Sequence, residues 1–167
     1  MEATLTHKLF IVGVLLGALM IGRASIVNAA ESPKLINYAV VDEESLPGLV
    51  VPAIVKSLTG KKGDPAKGRK LAINRKKGNC LACHVMPIPE QPYHGEVGPE
   101  LNGVANRYQE GELRLLVVNA KLINEDTIMP SFYRNDGFNR ILKKFKGKTI
   151  LSAQEVEDVV AYLMTLK

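Results

Sequence analysis

The chain has 167 residues and a formal net charge of +5, enough for one domain, or one domain with an extension. Its basic residues are not interleaved with aromatics in any nucleic-acid-binding pattern, so nucleic acid is set aside as a partner. The two cysteines are three residues apart and leave room for at most one small disulfide.

The first segment is a targeting signal rather than part of a fold. His7 and Lys8 precede the apolar run from Leu9 to Ile21, and a more polar stretch ends in Val27-Asn28-Ala29-Ala30. Small residues at Val27 and Ala29 suit cleavage after Ala29 or Ala30. The run is 13 residues long, shorter than the roughly 20 a permanent membrane anchor needs. An uncleaved anchor is the alternative. Loss of residues 1–29 removes Glu2, Lys8 and Arg23 and leaves a moderately basic protein. Export to the periplasm follows. Residues 30–60 carry no motif and are expected to form an N-terminal extension, with the functional domain over 61–167.

Asp64-Pro65 predicts an N-cap followed by proline at the first helical position, with the helix running to Asn74 or the Lys76-Lys77 pair. Gly68 costs this helix about 0.5–1 kcal/mol relative to alanine. Close contact with another helix is its expected compensation. Nine basic residues lie between Lys56 and Lys77, opposed only by Asp64, and a second run holds Arg134, Arg140, Lys143, Lys144, Lys146 and Lys148. They form either a solvated face or a positive rim that steers an acidic redox partner.

The run Gly78-Asn79-Cys80-Leu81-Ala82-Cys83-His84 contains C-x-x-C-H, the pattern for covalent haem attachment. Two thiols three residues apart on one helical turn reach the two vinyl groups on one edge of a porphyrin. His84 then projects over the ring face and offers a nitrogen to iron. A thioredoxin-like pair needs a preceding strand and no histidine, and zinc needs further ligands that do not occur. One haem c is the expected cofactor. Its second axial ligand comes from Met86, Met129, Met164, His94 or, in an unprocessed chain, His7. Met86 is too close to His84 to reach the other ring face, and Met164 sits in an apolar helical stripe. Met129 is favoured. It lies 45 residues beyond His84, and Pro130 holds it in extended backbone suited to a loop across a haem face. His94, in a turn-rich segment that reads as exposed, is the main rival.

Further along, Gly98-Pro99-Glu100-Leu101-Asn102-Gly103 reads as a loop anchored by Leu101. Leu113, Leu116 and Val117 share one face of a short helix over Glu112–Ala120. Ser152-Ala153-Gln154-Glu155 is a capping box for an amphipathic helix reaching the C-terminus, in which Tyr162 is placed to lie over Gly68. Apart from a short piece near Val50, nothing alternates as a strand does. The fold class is all-α.

The segment from Gly98 to Arg107 resembles the G-P-x-L-x-G-(x)3-R element of class I cytochromes c. That resemblance implies that the Pro99 carbonyl accepts from the free ring N–H of His84, and that Arg107 pairs with a haem propionate. Gly78–His84, Arg107-Tyr108, Leu113-Arg114, Thr127–Arg134 and Leu151–Leu166 together resemble the SoxX family. These are the small monohaem subunits of the SoxAX cytochromes of sulfur-oxidising bacteria. The resemblance implies a heterodimer with a SoxA-like haem subunit, and an L-cysteine S-thiosulfotransferase that joins thiosulfate to a cysteine of the SoxYZ carrier. The bond-forming centre would then lie on the SoxA-like partner, at a cysteine-ligated haem. Having no third cysteine, this chain has no catalytic residue of its own for that step. Its His84/Met129 haem would accept electrons and pass them to an acidic soluble cytochrome. A free-standing electron carrier is the alternative, and a gas-binding haem protein a third.

Overall fold

The computed structural model describes residues 36–40 and 49–167. The expected signal segment, its cleavage position and most of the remainder of residues 30–48 lie outside them. Among the described residues no helix is long and apolar enough to cross a membrane.

Three helices frame the domain: α1 (Pro65–Ile73), α2 (Glu110–Asn119) and α3 (Ala153–Leu163). Each begins where local chemistry satisfies its free N–H groups. The Asp64 carboxylate accepts from the amides of Ala66 and Lys67 at 2.9 and 3.2 Å, with Pro65 at the first helical position. The Glu112 carboxylate accepts from the Gln109 amide, and α2 therefore starts two residues before the expected position. Ser152 and Glu155 form the reciprocal box at α3. At its other end α3 stops at Leu163 instead of running to the terminus. The chain turns there. Leu166 still reaches the core, and its carbonyl accepts from the Ala105 amide at 3.0 Å.

Helices α1 and α3 cross at Gly68. A Cβ there would stand 1.8 Å from the Asp158 carbonyl oxygen and 2.9 Å from the Tyr162 Cβ. The missing side chain is what allows the two backbones to touch. The core around this crossing includes Ala72, Leu81, Val104, Leu113, Leu115, Phe132, Val156, Val159 and Val160.

The helical domain is accompanied by a two-stranded antiparallel hairpin in the extension. Strand β1 (Ile36–Val40) pairs with β2 (Leu49–Ala53), with Ile36 opposite Ala53 and Val40 opposite Leu49. The short piece near Val50 is its second arm. The chain leaves β2 directly into the core: Ala53 and Ile54 are buried, and the Ile54 amide donates to the Gly111 carbonyl.

A buried ion pair holds this junction. Arg114 on α2 and Glu157 on α3 are 2% and 3% exposed, and the guanidinium meets both carboxylate oxygens at 3.0–3.2 Å. Arg114 also donates to the carbonyls of Ile54 and Val55 and pairs with Glu110, while Glu157 accepts from the Leu58 amide at 2.7 Å. Three segments are thereby joined by two side chains, and each charge has its hydrogen bonds met. Removing one partner strands the other in low dielectric, whereas removing both need not. Glu157→Ala should cost about 3–5 kcal/mol, and the double variant Arg114→Met/Glu157→Leu much less. Urea unfolding of the haem-loaded proteins checks this; equal losses in both variants would contradict it.

Candidate haem site

The attachment segment is a single tight turn. Asn79 enters it in the left-handed region (φ 49°), and Cys80–Ala82 form a short 3-10 helix. The amides of Cys83 and His84 both donate to the Cys80 carbonyl, at 3.1 and 2.9 Å. Leu81 turns inward and is buried, which pins the turn to the core and leaves Cys80, Cys83 and His84 partly accessible. Cys80 and Cys83 form no disulfide with each other. The Cys80 side chain packs against the core, and that desolvation pushes its thiol up to about 11. Among the described residues no group of three His, Cys, Asp or Glu side chains is placed to hold a bare metal ion.

The loop after the motif folds back onto this turn through backbone bonds. Gly95 donates to Leu81, Gly98 to Cys83 and Leu101 to Val85, at 2.8, 2.7 and 2.9 Å. That return brings the Pro99 carbonyl oxygen to 2.6 Å from Nδ1 of His84. A carbonyl only accepts, so Nδ1 carries the proton and Nε2 keeps its lone pair for a metal. Two thiols and one such nitrogen on a single turn are the donor set that a covalently attached haem requires, and the residues present fit that group.

Arg107 places two guanidinium N–H groups on the carbonyls of Glu100 and Asn102, at 2.6 and 2.8 Å. It braces the loop that carries Pro99, a role its sequence position alone did not indicate.

The candidates for the opposite ligand differ in their surroundings. Both ring nitrogens of His94 face the backbone of its own loop: Nδ1 accepts from the Met86 amide and Nε2 lies 3.3 Å from the Ile88 carbonyl. His94 is half-buried, where an exposed loop was expected, and its ring is already engaged. Met86 is core, 3% exposed. Met164 caps the end of α3 and lines a groove with Ser57, Lys61 and Glu110. Met129 lies in a loop whose Met129 amide donates to the Thr127 hydroxyl, and Lys121 donates to the Thr127 carbonyl. The following residues return to α2, with Phe132 and Tyr133 donating to the Val117 and Val118 carbonyls. Met129 is partly buried against the same core as Cys80 and Leu101. It also borders a cavity of about 220 Å³ lined by Phe138, Phe145, Lys121, Arg134 and Lys148.

The family model for cytochrome c matches residues 65–167. A chain in the crystal structure of SoxXA from P. pantotrophus is 43% identical, with a TM-score of 0.64; the match covers 69% of this chain and 90% of that one. No curated protein sequence matches the chain. The match begins at α1, spans the haem turn, the Pro99 loop and the Met129 loop, and ends with α3: the chain belongs to the cytochrome c family, and within it to the SoxX branch.

Proposed function

We propose that this chain is the electron-accepting monohaem subunit of a SoxAX-type L-cysteine S-thiosulfotransferase. The observation that carries the proposal is its 43% identity to a SoxXA chain over 90% of that chain's length. In this reading Cys80 and Cys83 would tether the haem through thioethers, and Nε2 of His84 and the thioether sulfur of Met129 would hold its iron. When bound, the haem supplies a one-electron acceptor whose potential its axial ligands tune, methionine raising it relative to a second histidine.

The chain's own residues do the positioning. Pro99 keeps His84 in the tautomer that presents Nε2. Arg107 holds the Pro99 loop and retains N–H groups for a haem propionate. With His84 and Met129 both holding the iron, thiosulfate would find no site on it. The chain's only cysteines are the two tethering ones, so a cysteine-ligated catalytic centre belongs to a SoxA-like partner. Joining thiosulfate to a carrier thiol forms an S–S bond and releases two electrons and the thiol proton. The electrons would leave through this subunit one at a time, towards an acidic soluble redox protein. Lys121, Arg134 and Lys148 beside Met129 suit such a partner.

Identity extending over nearly the whole of a SoxXA chain favours a subunit over a free shuttle. A periplasmic location and a cleaved leader over residues 1–29 complete the proposal.

Three outcomes are expected. Purified from its native host, the chain co-elutes with a second haem subunit carrying an additional cysteine; elution alone as a monomer would contradict the proposal. Met129→Ala removes the sulfur-to-iron charge-transfer band at the red end of the ferric spectrum, and persistence of the band would move the ligand elsewhere. Cys80→Ala with Cys83→Ala leaves no haem that survives acid–organic extraction, and covalent haem retained in that variant would refute the attachment site.

A further inference from the structure

We infer that Gly98 is a positioning residue for His84: its bare Cα is a stop against one face of the imidazole that fixes the ring plane about the Nε2 axis. The inference rests on the proposal that His84 ligates the haem iron. A Cβ built on Gly98 would lie 2.3 Å from Cε1 of His84, 2.7 Å from Nδ1 and 2.8 Å from Nε2. The two nitrogens are nearly equidistant from that point and only slightly farther away than Cε1. That places it above the ring, over the Cε1 corner. A point in the ring plane beyond Cε1 would be much farther from both nitrogens than from Cε1. Gly98 therefore backs the face of the imidazole, while the Pro99 carbonyl meets its edge at Nδ1.

Neither contact can retreat independently. The Gly98 amide is bonded to the Cys83 carbonyl, and the Leu101 amide to the Val85 carbonyl. Both acceptors flank His84 itself, so the stop and the ring share one short piece of backbone. Backbone conformation does not demand glycine here. Gly60, Gly103, Gly137 and Gly147 have positive φ, and Gly98 does not. An L side chain is permitted by dihedral angle, and the nearest atoms that refuse it are those of the imidazole. One hydrogen bond at Nδ1 fixes the tautomer but leaves the ring able to tilt around that bond. A second contact on the face removes the tilt, as a ligand shell built to hold a ring orientation requires.

The orientation of an axial imidazole relative to the porphyrin nitrogens governs how unpaired spin is spread over a ferric low-spin haem. The haem-loaded Gly98→Ala variant should show a redistributed pattern of hyperfine-shifted haem methyl resonances and a changed spread of low-spin EPR g-values. Covalent haem and the Met129 charge-transfer band should both remain. An unchanged methyl pattern and unchanged g-values in that variant would overturn the inference. In the reduced wild-type protein, a strong nuclear Overhauser contact is expected between the Gly98 α-protons and His84 Hε1; its absence would overturn the inference even where the variant fails to assemble. Ferric wild-type protein in which the His84 ring protons carry no hyperfine shift would remove the ligation itself, and this inference with it.

Discussion

An imidazole has two nitrogens, and in this protein one of them is already taken. The Pro99 carbonyl at Nδ1 of His84 decides which tautomer the ring adopts and which nitrogen faces outward. The surrounding architecture serves that contact. The Cys80–Ala82 turn presents His84 and both thiols together, and three backbone bonds return the Gly95–Leu101 loop to it. Arg107 closes the loop from its far side. Each of these bonds is modest alone, on the order of 1 kcal/mol net, but they share a short stretch of chain, so the geometry at His84 is over-determined.

The frame that carries this turn rests on a different constraint. Two helices can approach to backbone contact only where a side chain is missing, and Gly68 supplies that gap against Asp158 and Tyr162. Asp158 is buried and accepts from the Asp64 amide at 2.8 Å, so α3 also fixes the residue that caps α1. One turn of α3 thus offers Glu157 to α2 and the segment after β2, and Asp158 to the start of α1. A buried ion pair is weak evidence for net stability; here Arg114 and Glu157 have a clearer role as a junction. They join the segment following the hairpin to the helical domain through three backbone groups, the carbonyls of Ile54 and Val55 and the Leu58 amide, and the Ile54 amide adds a backbone bond to the Gly111 carbonyl on α2.

What the sequence revealed was mostly local chemistry. The Asp64-Pro65 start and the Ser152–Glu155 box need only neighbouring residues, and the C-x-x-C-H motif packs its ligand and both tethers into five positions. Gly68 was legible because a glycine inside a helix signals a close neighbour, and Tyr162 had the spacing to be that neighbour. Long-range pairings were not legible. Arg114 sits in a helix, and its pairing with Glu157 is not visible locally because that partner is 43 residues away. A charge flanked by Leu113, Leu115 and Leu116 was the available signal. Of the hairpin only the piece near Val50 was legible, because five-residue strands alternate too briefly to stand out. His94 read as an exposed loop residue, since nothing local shows that the Met86–Ile88 backbone turns to meet its ring. Gly98 read as a turn residue, although it is required by space rather than by dihedral angle.

In the proposed assembly His84 and Met129 would hold one covalently attached haem from opposite faces. A methionine bound to a ferrous low-spin haem has its methyl protons shifted far upfield by the porphyrin ring current. Proton NMR of the reduced haem-loaded protein with ¹³C-labelled methionine methyls measures this directly. The account predicts one such resonance, assigned to Met129 by its sequential neighbours Ile128 and Pro130. An upfield methyl assigned to Met86 or Met164, or none at all, would contradict it.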